Sequence, residues 1–255
     1  MKGVVLAGGN GTRLLPLTRV TNKHLLPVYD KPMIYYPLET LVGAGIEDII
    51  VVTGGKSARD IQELLGNGAE FGIKRLTYAF QQTASGIADA LGLCEHFAAG
   101  DRLCVILGDN ILQDDLAPYK ARYEAQDGGA RLLLKMVSDP ERFGVAEIDN
   151  GRIVRVEEKP AAPKSHYAVT GVYFYDSRVF DFIRRAKPSM RSELEITDVN
   201  NSYIAIGALG YDVLEGWWAD AGQIDSLHDA ANLVAADRRV KSLGRATRSF
   251  ESARR

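Results

Sequence analysis

Four short runs rich in Val, Ile and Leu, at residues 3–7, 48–53, 75–80 and 103–107, are separated by segments whose apolar residues recur at helical spacing. No other feature of the sequence narrows the fold as much. Parallel strands need crossovers between them, and helices laid on both faces bury the strands so completely that they read as continuous apolar runs. The first half therefore predicts βα units around a largely parallel sheet. Between the strands, residues 33–42 follow Pro32 and residues 58–65 follow Ser57, a candidate N-cap. Ile87, Leu91, Cys94 and Phe97 fall on one helical face and predict core positions.

From about residue 130 the pattern becomes consecutive strands, ARLLLKMV, GVAEID, RIVRVEE and YAVTGVYFYD, with turns at Asp149, Asn150 and Gly151 and over 160–165. This half predicts an α+β lobe on the same sheet. A helix is expected over about 193–206 and a strand over about 211–214, ahead of Trp217 and Trp218. A further helix from Gln223 to about Arg239 and a polar tail over 241–255, expected to fray, complete the reading. The expected organisation is one domain over 1–240, divided into 1–130, 131–222 and a closing helix at 223–240.

A net charge of −2 over 255 residues supplies no general basic field for nucleic acid or an anionic membrane, so an anion site must use locally placed Arg and Lys. No stretch approaches the length of a membrane span, and Met1 leads straight into a strand, which predicts a cytoplasmic protein. Cys94 and Cys104, both among apolar neighbours, read as buried thiols in a reducing compartment.

The first strand breaks into AGGNGTRL. A dinucleotide fingerprint would need glycine where Leu14 stands, and a P-loop would need a Gly-Lys-Ser/Thr ending that is missing. What remains is a glycine loop at a strand end, open to close approach of backbone N–H groups to an anion, with Arg13 as a charged donor. A plain turn satisfies the same residues. Lys23, bracketed by Pro16 and Pro27, is placed to join Arg13 on a polyphosphate, the simpler reading being two solvated cations.

CVILGDN ends a buried strand in Gly-Asp-Asn, which aims Asp109 at the crevice beyond the strand ends. Asp220, in WWADAG, has an apolar setting in which an unpaired charge is costly. Mg²⁺ held between the two would supply a partner, although both also suit turns. RVEEKP places Glu158 and Lys159 at a strand lip. In RSELEITD, Glu193 and Glu195 fall on different faces of the expected helix, so at most one reaches a given ligand, and Ser192 with Glu195 reads as a capping box.

Taken in order, LAGGNGTRL, NKHLLPVYDKPMIYYPLETL, LGDN, DPERFGVAEID, EEKP, YAVTGVYFYD, ELEITDVNN and WWADAG resemble the sugar-1-phosphate nucleotidylyltransferases, over residues 1 to about 232. The resemblance implies a Rossmann-like, three-layer α/β fold of the GT-A-like kind, with a predominantly parallel mixed sheet. It implies a Mg²⁺-dependent enzyme that joins dTTP to glucose-1-phosphate and releases pyrophosphate, assembled as a dimer or tetramer. Leu6, Ala7, Gly8, Gly9, Gly11, Thr12 and Arg13, with Gln81, Gly86 and Asp109, would bind the nucleotide. Gly144, Glu158, Lys159, Thr170 and Glu193 would bind the sugar phosphate, and Asp109 and Asp220 the metal. Arg13, Lys23 and Lys159 would be the catalytic cations. The chain departs from the family at 82–85 (QTAS), at Ser192 and at Ile224, which leaves base and sugar preference open. Because it ends soon after its last expected helix, the sequence is expected to be without the C-terminal extension of longer members. A UTP-dependent transferase, a silent nucleotide-sugar sensor and a glycosyltransferase compete with this reading.

Overall fold

The computed structural model describes residues 1–55 and 58–252, with side chains up to residue 240. The candidate cap Ser57 lies outside the described residues. The chain opens with β1 (Lys2–Ala7), the short pair β2 (Pro27–Val28) and β3 (Lys31–Pro32), and α1 (Tyr35–Gly43). Then come β4 (Asp48–Gly54), α2 (Ala58–Leu65), β5 (Arg75–Gln81), α3 (Ile87–Gly92), α4 (Glu95–Ala98) and β6 (Leu103–Leu107). The second half holds β7 (Asn110–Leu112), α5 (Ala117–Glu124), β8 (Ala130–Met136), β9 (Gly144–Asp149), β10 (Arg152–Glu158) and β11 (Tyr167–Tyr175). It closes with α6 (Val179–Arg185), α7 (Ile196–Ala205), β12 (Leu209–Val213), β13 (Trp218–Asp220) and α8 (Ile224–Ser252).

One sheet unites the two halves in the order β10-β9-β11-β6-β1-β4-β5, with β8 pairing both β11 and β12. β6, β1, β4 and β5 are parallel, as the apolar runs require, and β11 enters antiparallel to β6. Side-chain alternation makes the layers. Val4 and Leu6 of β1 pack with Leu91 of α3, Ile183 of α6 and Tyr203 of α7, whereas Val5 and Ala7 pack with Leu41 of α1, Ile61 of α2 and Tyr123 of α5. Burying each such aliphatic side chain contributes about 1.5–3 kcal/mol, so a one-residue slip of β1 would exchange the two faces and is strongly disfavoured. The order of construction reverses at β1, with β4 and β5 on one side and β6 on the other. A crevice therefore opens beyond the C-terminal ends of β1 and β6.

A smaller cluster, Val28, Met33, Tyr36, Ile111, Ala219, Ala221, Ala230 and Val234, fastens α8 and the β7–β13 ribbon beside that crevice. Several boundaries differ from expectation. The Ile87-to-Phe97 face is built by two short helices that break after Gly92, a weak helix former. The helix expected from Glu193 begins at Ile196, and β12 lies two residues earlier than its predicted start. The helix expected to stop near Arg239 runs to Ser252, since polarity alone does not oppose a helix and no proline interrupts this stretch.

Candidate active site

The crevice is a cleft of about 450 Å³, and its walls come from the ends of β1, β5 and β6, the β10 lip, β11, the start of α7 and β13. At the β1 end, Gly8 and Gly9 line it directly. Gly9 holds φ of +91°, a conformation a side chain would strain. The turn that follows is pinned by Leu14, which is fully buried, and by the Thr18 hydroxyl donating to the Gly11 carbonyl at 2.7 Å. Arg13 projects from it into the cleft. Ala7 is buried in the core, and Gly11 and Thr12 stand outside the lining, so their expected contacts with the nucleotide are not made by the walls as they stand.

Lys23 leaves a second short turn, Lys23–Leu25, capped by Asn22. Asn22 Oδ1 accepts from the His24 backbone N–H at 2.9 Å and faces His24 Nδ1 at 2.7 Å, so Nδ1 carries the ring proton. Burial and then the Lys23 charge drive the His24 pKa down to about 3, so the ring is neutral and unsuited to proton transfer at physiological pH. Its ring fills the space that a side chain on Gly108 would need: a Cβ there would lie 2.6 Å from His24 Cδ2. The glycine before Asp109 is thus fixed by packing.

Asp109 is buried, and its carboxylate accepts from Lys23 Nζ at 2.5 Å and from Asn110 Nδ2 at 3.2 Å. Burial alone would raise its pKa, but the Lys23 ammonium holds it well below the ordinary carboxylate range. Asp220 meets it across the β7–β13 ribbon, where Asp220 stands opposite Asn110. A Cβ on Gly222 would lie 2.9 Å from Asp220 Oδ1, 3.2 Å from Asp109 Oδ2 and 3.3 Å from Arg13 Nη2, so three charged groups from three parts of the chain converge on one point. Burial, and then the charge of Asp109, push the Asp220 carboxyl up to about 6. Two carboxylates this close are stabilised by a cation between them.

The ribbon is held from behind. Asp114 accepts from the backbone N–H groups of Glu215 and Gly216, at 3.0 and 2.6 Å, while Lys135 Nζ donates to the carbonyls of residues 214, 215 and 216 at 3.1, 3.2 and 2.7 Å. Asn110 Oδ1 accepts from Trp218 Nε1 at 2.7 Å and from the Gly171 N–H at 2.8 Å. The latter bond sits where β11 carries extra residues between Val169 and Tyr173.

At the other end, Glu158 accepts from the Thr197 hydroxyl at 2.7 Å, and Gly144 faces both. Lys159 stands exposed at the lip with φ of +44°, strained for a lysine, its ammonium 3.8 Å from Glu158. Thr170 does not reach the cleft. The irregular β11 presents Val169, Gly171 and Tyr173 inward, and the Thr170 hydroxyl donates to the Leu133 carbonyl at 2.8 Å in the core. Glu193 and Glu195 precede α7 rather than riding on it, so both line the cleft, and no capping box forms, since Ser192 takes φ of +58°. Arg191, which the sequence reading did not single out, binds Glu195 at 2.8 Å, Glu158 at 3.3 Å and Glu193 at 3.6 Å. An arginine two and four residues before the candidate acids Glu193 and Glu195 was the available signal.

No group of three or more His, Cys, Asp or Glu side chains capable of holding a metal occurs among the described residues, leaving the Asp109–Asp220 pair. Both cysteines are buried, and burial raises the pKa of each. No described helix is long and apolar enough to cross a membrane.

Strand-end carboxylates, a glycine loop and facing cations thus share one cleft on an open α/β sheet. The chain belongs to the nucleotidyl transferase family, whose model matches residues 2–237. It is 47% identical over 247 residues, 95% of this chain and 85% of the relative, to a glucose-1-phosphate thymidylyltransferase of Neisseria meningitidis. A solved Bacillus anthracis chain assigned to the same enzyme superposes with a TM-score of 0.88 at 55% identity, covering 91% of this chain and 94% of that one. A UDP-glucose pyrophosphorylase shares the fold, with a TM-score of 0.81 at 24% identity over 92% of this chain and 98% of that one.

Proposed function

We propose that this protein transfers a thymidylyl group from dTTP to glucose-1-phosphate, giving dTDP-glucose and pyrophosphate. The observation that carries the reading is the convergence of Asp109, Asp220 and Arg13 beside Lys23, at the end of the glycine loop. A phosphate monoester has a second pKa of about 6, so the attacking oxygen of the sugar phosphate is already largely deprotonated at neutral pH and needs no general base. The difficulty is bringing that dianion to a triphosphate. Arg13 and Lys23 face the cleft where the triphosphate and departing pyrophosphate would lie, and Lys159, with Arg191 nearby, stands at the sugar-phosphate end.

Asp109 and Asp220 fit a Mg²⁺ ion, which commonly takes one or two carboxylates and completes its shell with phosphate oxygens and water. Bound there, it would neutralise charge building on the transferred phosphate. The protein's own part is positioning: the glycine loop cradles phosphates, Gln81 and Gly86 hold the base edge, and Gly144, Glu158 and Glu193 surround the hexose.

Pyrophosphate release, measured with Mg²⁺ and glucose-1-phosphate and with each of dTTP, UTP, CTP, ATP and GTP, tests this directly. Release is expected to be strongest with dTTP and to require both sugar phosphate and metal. Asp220→Asn should abolish turnover while keeping the wild-type melting temperature or raising it, because it removes a buried charge that Asp109 repels. Near-normal, Mg²⁺-dependent activity in that variant would dismiss the carboxylate pair.

A further inference from the structure

Gln81 ends β5 at the cleft, and its amide is committed on one side. Nε2 donates to Asp89 Oδ2 at 2.8 Å and to the Gly86 carbonyl at 3.2 Å. A carboxylate and a carbonyl only accept, so the nitrogen must face them, and both of its hydrogens are used. Turning the amide over would set its oxygen against two acceptors. Oε1 is therefore directed towards Gly8, where a Cβ would lie 2.9 Å away, and no hydrogen bond to it is formed among the described residues. Glycine at position 8 leaves that oxygen open. The amide thus offers the cleft an acceptor and no donor.

We propose that Asp89, as a positioning residue, sets the base preference of the site by locking Gln81 as a hydrogen-bond acceptor. A base whose ring nitrogen carries hydrogen satisfies Oε1, as N3–H of thymine or uracil does. Cytosine presents a lone pair at the same ring position, which leaves two acceptors opposed at a side chain that is itself buried. The arrangement selects imide pyrimidines over cytosine and does not separate thymine from uracil. It rests on the nucleotide-binding part of the proposed function and needs no turnover to be tested.

Equilibrium binding of dTTP and dCTP, which share sugar and phosphates, can be measured by calorimetry on the full chain with Mg²⁺ and no sugar phosphate. The wild type should prefer dTTP by about a hundredfold or more, since buried polar groups left unpaired are what reject a near-isosteric competitor. Asp89→Ala should cut that preference by about tenfold, because the amide, then held only by the longer bond to the Gly86 carbonyl, can turn its nitrogen to cytosine. Asp89→Asn, which keeps an acceptor oxygen for Nε2, should retain most of it, and both variants should melt near the wild-type temperature. A wild type that binds the two nucleotides alike, or an Asp89→Ala protein that keeps the wild-type preference to within about twofold, would overturn the inference. Pyrophosphate release run in parallel separates the two readings: base preference lost in Asp89→Ala without any release would sink the assigned reaction and leave the base rule standing.

Discussion

Replacing Lys23 by methionine removes the ammonium from a pair whose side chains are only 15% and 8% exposed and whose charged atoms lie 2.5 Å apart. The chain length and most of the apolar contact survive, so the cost is electrostatic. Asp109 keeps the hydrogen bond from Asn110 Nδ2, which offsets part of the loss, and its carboxylate is otherwise left charged beside Asp220. Stranding one member of a buried ion pair costs about 3–5 kcal/mol, which for a chain of this size lowers the melting temperature by roughly 6–20 °C. The second substitution is diagnostic. Adding Asp109→Asn to Lys23→Met removes the stranded charge and should recover most of the stability, although neither protein turns over. Urea unfolding followed by tryptophan fluorescence measures both, and the double-variant cycle isolates the coupling. Millimolar Mg²⁺ should protect Lys23→Met more than wild type, since the cation binds a carboxylate no longer neutralised. A loss below about 1 kcal/mol in Lys23→Met, or no recovery on adding Asp109→Asn, would refute the argument that this pair is energetically coupled.

Gly171→Ala should destabilise the protein by about 1–3 kcal/mol and reduce kcat, because its Cβ would lie 2.6 Å from Asn110 Cγ and push that residue off Trp218 and the β7–β13 ribbon; chemical unfolding and steady-state kinetics check both. Asp176, which accepts from Arg178, the Gly129 N–H and the Tyr203 hydroxyl, has its pKa held below the ordinary value despite burial, which acts the other way. Its stabilisation is present above the unfolded-state pKa of about 3.9 and is lost as pH falls through the folded value, so Asp176→Asn should melt lower at pH 7 and lose less stability on acidification; parallel acid limbs in thermal melts would count against this.

The parallel strands were legible because full burial writes itself into the sequence as unbroken apolar runs. Asp109 was legible for a related reason: such a run ends by aiming the next residue at the crevice, although a turn suited this aspartate as well. Thr170 misled because a strand's two faces are told apart by period-two counting, and the extra residues in β11 reset the count just there. Glu193 and Glu195 misled in the same way, since assigning both to a helix set them on opposite faces, whereas the extended segment before α7 leaves both free to meet Arg191. Asp89 gave no signal. Its importance lies in one hydrogen bond to a residue eight positions away, and an acid in the first turn of a helix is unremarkable on its own.

The β7–β13 ribbon brings the last acid of the site in late along the chain. Every strand of the large sheet has been supplied once the chain reaches Val213, whereas Asp220 and the tryptophan bonded to Asn110 come only afterwards. A polypeptide cut between those points would carry all the strands of the sheet, the glycine loop, Lys23 and Asp109, and would lack Asp220. Proteolysis or a premature stop in that short interval would remove Asp220 and at the same time bare the Val28, Met33, Tyr36 and Ile111 side chains that β13 and α8 cover, so the last acid of the site arrives together with the last piece of core.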